Sequence, residues 1–146
     1  MRELPRQLSA DELAELFEGR TCFVERLAEL EDPLGQARRV AMQDLTPAQK
    51  REVLDAHPPI GAKNLSARSA AEQGTDADPD VLAELERLNR EYEARHGFRF
   101  VVFVNRRPKA EILEVLRSRI GKPTDEELDT ALDELVAIAE DRWRRG

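Results

Sequence analysis

The sequence predicts an all-α, single-domain bundle of about seven to nine helices, and three observations predict it. Apolar residues recur at three- and four-residue spacings along almost the whole chain. Ser, Thr or Asp starts and Gly or Pro stops punctuate that pattern at helical lengths. Only one run, FRFVVFV, breaks the period, and a lone strand has no partner to pair with, so residues 98–104 are expected to be a short extended segment packed between helices. With 146 residues, 40% of them hydrophobic, the chain can bury one core and is too short for two ordinary domains, so residues 1–146 form one unit.

The elements follow in order. Ser9 and Glu12 form a capping box ahead of Leu13, Leu16 and Phe17, with Gly19 as the expected stop. CFVERLAEL follows as a second helix, and Asp32-Pro33 interrupts the pattern before LGQARRVAMQDL. Thr46 is an N-cap, Pro47 suits the first helical position and Gln49 completes a capping box, which makes TPAQKREVLDA a short helix. Pro58 pushes the residue before it out of the helical region, so that helix ends at or just before His57, near the negative end of its dipole. The Pro and Gly content of residues 58–65 signals an ordered loop, after which Ser66 caps ARSAAEQ. Asp78-Pro79 opens what reads as the longest helix, lined by Leu82, Leu85, Leu88 and Tyr92 and closed by Gly97. Pro108 begins a helix carrying Ile112, Leu113, Leu116 and Ile120, ended by Gly121. Thr124 and Glu127 read as caps of the last helix, whose Leu128, Leu132, Leu135, Ile138 and Ala139 form a buried stripe with Trp143 near its end.

Charge and composition exclude several function classes. A net charge of −7 and a pI near 5.0 argue against nucleic acid as a partner, because phosphate binding draws on clustered Lys and Arg. Arg106-Arg107 and Arg142 to Arg145 read as solvated helix ends. No apolar run approaches the ~18 residues a membrane helix needs and MRELPRQ is no signal peptide, so a cytoplasmic protein without membrane association is expected. The single Cys22, beside Phe23 and Val24, reads as a buried thiol rather than a nucleophile. His57 and His96 are the only histidines and neither has metal-ligand spacing, so no metal is expected.

The stretch from Ala56 to Gln73 carries the candidate chemistry. If ARSAAEQ is helical, Ser69, Glu72 and Gln73 share one face, so a hydroxyl, a carboxylate and an amide point together, with His57 as the only nearby titratable imidazole. Taken alone, Glu72 and Gln73 fit a solvated face and His57 a helix end; taken together, they fit an acid/base pair beside a polar rack.

His57-Pro58, Ser69-x-x-Glu72-Gln73, Leu88-Asn89-x-x-Tyr92 leading to His96-Gly97-Phe98-x-Phe100-Val101, and Leu116-x-x-Arg119-Ile120 resemble, in order and spacing, the OHCU decarboxylase family. Its members act on 2-oxo-4-hydroxy-4-carboxy-5-ureidoimidazoline in the last step of urate conversion to (S)-allantoin. The likeness runs from LFEG near residue 16 to the final helix, and in HPPIG it is nearest to the bacterial members.

The resemblance implies a carboxy-lyase that needs no cofactor, because the substrate's carboxylate sits on a carbon next to an imine that takes up the electron pair left by carbon dioxide. It implies His57 as the main acid/base and Glu72 as its partner, either orienting the imidazole or contacting the substrate hydroxyl. It also implies substrate contacts from Pro58, Ser69 and Gln73, from backbone N–H groups of Phe100, Val101, Val102 and Phe103, and from the forked guanidinium of Arg119, which otherwise reads as a structural helix-end cation. Asn89 and Tyr92 read as packing residues, and Phe98 and Phe100 as core or pocket wall. Family members resemble homodimers, and urate oxidase and hydroxyisourate hydrolase are the implied pathway neighbours. The chain departs from the family pattern at Gly74-Thr75-Asp76 and around Gly121-Lys122-Pro123, both at the expected pocket edge. A related ureido or imidazoline substrate, or a helical binding module of the same fold without turnover, therefore stands as the alternative.

Overall fold

Side-chain caps set the helix starts at Ser9, Thr46 and Asp78, where the sequence places them. A computed structural model describes residues 7–57 and 78–145, and among these it has seven helices and no strand. They are α1 (Ala10–Leu16), α2 (Cys22–Ala28), α3 (Pro33–Gln43), α4 (Pro47–Asp55), α5 (Pro79–His96), α6 (Lys109–Ile120) and α7 (Thr124–Arg145). Both capping boxes are closed. The Ser9 hydroxyl accepts from the Glu12 N–H at 3.1 Å, and the Glu12 carboxylate accepts from the Ser9 N–H at 3.1 Å. Thr46 and Gln49 exchange the equivalent bonds at 3.2 and 2.9 Å. Asp78 caps α5 by accepting from the Asp80 N–H at 2.8 Å, and Gly97 ends α5 at φ 81°, a left-handed conformation that glycine adopts without a steric penalty. The loop expected over residues 58–65 and the helix expected over ARSAAEQ lie outside the described residues.

Helix α7 is the organising element, packing against α1, α3, α4 and α5, while α5 pairs most closely with α6. Its apolar stripe is buried as the spacing predicts, from Leu128 through Leu132 and Leu135 to Ile138 and Ala139. Phe17 meets Phe23 edge-on with ring centroids 5.2 Å apart, which joins α1 to α2. Tyr92, fully buried on α5, meets Phe98 and Phe100 edge-on at 5.8 and 5.3 Å. Residues 98–104 are non-helical as expected, Phe98 lying in a bend, with Phe98, Phe100, Val101, Val102 and Val104 buried.

Several expectations are corrected. The longest helix among those described is α7 at 22 residues, not α5 at 18, because nothing from Leu128 to Arg145 interrupts the helical period. α1 stops at Leu16, and the left-handed residue of the turn is Glu18 at φ 62° rather than Gly19. Gly19 serves a different need, since a Cβ there would stand 3.2 Å from that of Ala56. Arg142 is no solvated helix end: it is buried, donating to the Leu16 carbonyl at 3.0 Å and pairing with Glu18 at 3.1 Å. Arg107 likewise turns inward, onto the carbonyls of Phe103 (2.6 Å) and Val104 (3.1 Å). Cys22 is only half-buried, at the start of α2; desolvation and then the Glu52 carboxylate raise its thiol pKa, which keeps it protonated and a poor nucleophile.

Glu127 does not cap α7. It is fully buried, accepting at one oxygen from Arg119 Nε (2.9 Å) and from the Tyr92 hydroxyl (2.6 Å). Thr124, the first residue of α7, instead meets His96 Nδ1 at 2.8 Å, while His96 Nε2 lies 3.0 Å from the Ile120 carbonyl. Arg119 and Glu127 thus form a buried ion pair in which each charge depends on the other. Glu127→Leu or Arg119→Met alone should lower unfolding free energy by roughly 3–5 kcal/mol, because either change strands a buried charge. The double variant should recover much of that loss, and urea unfolding of the three proteins measures it.

Candidate functional site

His57 follows immediately after α4, and both peptide groups flanking it are tied. Its N–H donates to the Leu54 carbonyl at 3.2 Å, and its own carbonyl accepts from Arg99 Nη1 at 2.7 Å. The same nitrogen donates to the Asp55 carbonyl at 2.7 Å, so one guanidinium closes the carbonyl end of the helix. The imidazole is 4% exposed, and its Nε2 is buried without a hydrogen-bond partner. A buried polar atom left in that state is destabilising in a structural residue and is what a reacting group requires before its substrate arrives.

The electrostatics differ from those a helix end suggests. The negative end of the α4 dipole favours a protonated ring, yet the His57 pKa is lowered to about 3. Desolvation is the largest cause, followed by the Arg142 guanidinium; Glu18 opposes the shift and Arg99 adds to it. His57 is therefore neutral, enclosed by charges from the α1–α2 turn, from α7 and from the extended segment.

That segment is the second part of the site. A non-helical backbone inside a helical bundle has peptide groups that no helix satisfies, and arginines take its carbonyls. Arg119 Nη1 donates to Val101 at 2.8 Å, while Arg107 takes Phe103 and Val104. The Phe103 N–H is directed to the half-buried Glu134 carboxyl, whose pKa burial raises against the charges of Arg119 and Arg107. No acceptor among the described residues takes the N–H of Phe100, Val101 or Val102, all in buried residues. These are three of the four backbone groups expected to face substrate oxygens.

Arg119 is 5% exposed, its guanidinium carbon 4.6 Å from the centroid of the Phe100 ring. Its Nε and Nη1 are engaged by Glu127 and Val101, and Nη2 is its one nitrogen without a partner. The fork expected to grip substrate is thus partly committed to the protein, with Nη2 left over. Tyr92, read from the sequence as a packing residue, is one, and its hydroxyl also fixes Glu127; burial and then that hydrogen bond raise its pKa.

His57 is thus tied through Arg99 to the start of this segment, and Arg119 to its centre through the Val101 carbonyl. Pro58, Ser69, Glu72 and Gln73 lie outside the described residues. Sequence reading missed Arg99, Glu18, Arg142 and Glu127. A signal existed for two of them: Arg142 stands four residues after Ile138, and Glu127 four before Ala131, so both continue the buried stripe of α7.

Comparison with known proteins gives this assembly a context. A family model described as OHCU decarboxylase matches residues 2–144. A Haloferax volcanii protein named 2-oxo-4-hydroxy-4-carboxy-5-ureidoimidazoline decarboxylase is 33% identical over 115 residues, covering 75% of this chain and 68% of that protein. The "uric acid degradation bifunctional protein" of Bacillus subtilis is 27% identical over 150 residues, 95% of this chain but 30% of that one. A crystal structure described as OHCU decarboxylase in the presence of (S)-allantoin shares the fold with a TM-score of 0.76 at 26% identity, covering 90% of this chain and 94% of that one. The match thus spans about two thirds of the Haloferax protein and nearly all of the solved chain. With a family model fitting almost end to end and the fold it implies present, the chain belongs to the OHCU decarboxylase family.

Proposed function

We propose that this protein decarboxylates 2-oxo-4-hydroxy-4-carboxy-5-ureidoimidazoline to (S)-allantoin in urate degradation. The observation that carries the reading is His57: a buried, neutral imidazole with Nε2 unpartnered, held beside the segment of unpartnered N–H groups in a chain of this family. In the reaction the bond to the carboxylate breaks, carbon dioxide leaves, and the electron pair moves toward the adjacent imine nitrogen. The neighbouring hydroxyl loses its proton as its carbon becomes a carbonyl, the former imine nitrogen takes up a proton, and another is delivered to one face of the ureido-bearing carbon, so one proton is consumed for each carbon dioxide released. The substrate supplies its own electron sink, so no cofactor enters.

A neutral His57 is ready to accept a proton and holds none to donate at the outset. An anionic substrate raises the proton affinity of a neighbouring imidazole, which moves His57 toward a useful range only when the site is filled. We assign Glu72 as its partner, Ser69 and Gln73 to the ureido and ring groups, Pro58 to the pocket wall, and the N–H groups of Phe100 to Phe103 with Arg119 Nη2 to substrate oxygens. We further propose a cytoplasmic homodimer acting downstream of urate oxidase and hydroxyisourate hydrolase. The family resemblance supports this, and light scattering tests the dimer.

The first expected outcome is stereochemical. The substrate decays unaided to racemic allantoin, so an excess of the S enantiomer, followed by circular dichroism on freshly generated urate-oxidation intermediate, is the diagnostic product. An unchanged decay rate with a racemic product would reject the decarboxylase and favour a binding module. Second, positioned proton transfer typically contributes ~10²–10⁴-fold, so His57→Ala should lose rate on that order while remaining folded. Glu72→Ala should lose a similar amount, and the double variant should be little worse than the worse single one, because groups acting as a unit are not additive. Near-normal turnover by folded His57→Ala would remove the proposed acid/base.

The third outcome concerns pH. With the folded pKa of His57 near 3 and its ordinary value 6.5, the unfolded chain binds a proton between those limits that the native protein does not. His57 therefore contributes nothing to pH dependence above 6.5 and makes the fold less stable as pH falls through the window, by at most about 1.4 kcal/mol per unit. His57→Leu should flatten this slope in urea unfolding measured near neutrality and near pH 5. An identical slope in both proteins would mean that His57 is ionised in the fold.

A further inference from the structure

We infer that Arg99 is a positioning residue for the reaction, locking His57 to the extended segment so that the acid/base group and the backbone donors keep a fixed relation. This rests on the proposed role of His57 and assigns a function to a side chain that no site motif contains.

The geometry is specific. Arg99 Nη1 donates to the carbonyls of both Asp55 and His57 at 2.7 Å, which uses both of its hydrogens. The Arg99 N–H donates to the Asp55 carboxylate at 3.2 Å, so backbone and side chain of one residue grip the same turn. Arg99 Nε stands 3.8 Å from Glu93 on the last turns of α5, which restrains the guanidinium from its other side. Three elements therefore converge on one side chain: the end of α4, the end of α5 and the first residues of the extended segment.

Position follows from these bonds. His57 is followed by Pro58, which offers no N–H, and among the described residues the peptide hydrogen bonds that fix the His57 backbone are its N–H to Leu54 and its C=O to Arg99. Removing Arg99 frees the second and leaves the ring on a backbone with one tether. Asp55 and His57 would also keep carbonyls that no helical N–H reaches. A cation is lost from the surroundings of His57 as well. The charges acting there are Arg142 from α7, Glu18 from the α1–α2 turn and Arg99 itself, so without Arg99 burial and Arg142 alone oppose Glu18 and the His57 pKa rises.

A structural cap alone would show only in stability, which the readouts separate. In Arg99→Met, the apolar stem is kept and the donors are removed. Corrected for folded fraction, kcat should fall about tenfold to a hundredfold with KM little changed, as for a misplaced reacting group. With enzyme raised until catalysed turnover outruns spontaneous decay, the enantiomeric excess of (S)-allantoin should fall as well. Independently of activity, the sequence has only two histidines, so the imidazole ¹⁵N signal of His57 is assignable by substitution; its titration midpoint should move upward by roughly half a unit or more while that of His96 stays in place. A folded variant with wild-type kcat and enantiomeric excess, or with an unmoved His57 midpoint, overturns the inference. If Arg99→Met does not fold, Arg99→Gln, whose shorter amide reaches neither carbonyl, carries the same expectations. Should the wild type make no optically active allantoin, the proposed reaction fails, and the His57 titration still decides whether Arg99 controls that residue.

Discussion

A stretch of extended backbone buried inside a helical bundle imposes the constraint that the rest of this structure answers. Helices satisfy their own peptide groups; residues 98–104 have no strand beside them among the described residues, so each carbonyl and N–H must find another partner. Two arginines supply donors to its carbonyls, and a third anchors it to a neighbouring helix end. Arg99 ties the start of the segment to the end of α4, Arg119 holds its centre from α6, and Arg107 folds back over its end. The chain closes the segment with Asn105 and Arg106, both at positive φ (49° and 63°), a strained conformation for residues other than glycine. What is bound from the protein side is mostly carbonyl, and the N–H groups left over are the ones a substrate oxygen would need.

Satisfying that backbone brings cations inside, and each has its own consequence. Arg119 is matched by Glu127, which is steadied by Tyr92, so a charge beneath the segment becomes a fixed feature of the core. Arg142 is matched by Glu18 and completes the carbonyl end of α1. The second of these pairs acts on His57: burial comes first, and Arg142 together with Arg99 outweighs the opposing Glu18. The imidazole's unprotonated state is therefore a property of the whole enclosure rather than of the helix end on which it sits.

What the sequence made legible was what local spacing determines. Capping boxes at Ser9 and Thr46, the closure at Gly97 and the apolar stripe of α7 were readable because each involves residues three or four apart. The extended character of FRFVVFV was readable as a break in that spacing. The inward turn of Arg142 was not, because its partner is remote in sequence: the Leu16 carbonyl lies 126 residues away. Glu127 misled for a sharper reason, since Thr-x-x-Glu before an apolar run has the same pattern whether the glutamate turns back to the helix start or inward to a cation. For the candidate site, the placement of His57 and the motif order were visible, whereas its ionisation, the committed donors of Arg119 and the tether of Arg99 needed three dimensions.

The bond from Arg142 to the Leu16 carbonyl joins residues 126 positions apart. During synthesis the first helix leaves the ribosome long before its C-terminal carbonyl can meet that partner, and Glu18 waits equally long for its cation. The surroundings of His57 are thus assembled last, once the final helix docks across α1, α3 and α4. A nascent chain halted before Arg142 would contain every motif residue of the candidate site and still lack the buried cation that helps hold the imidazole neutral.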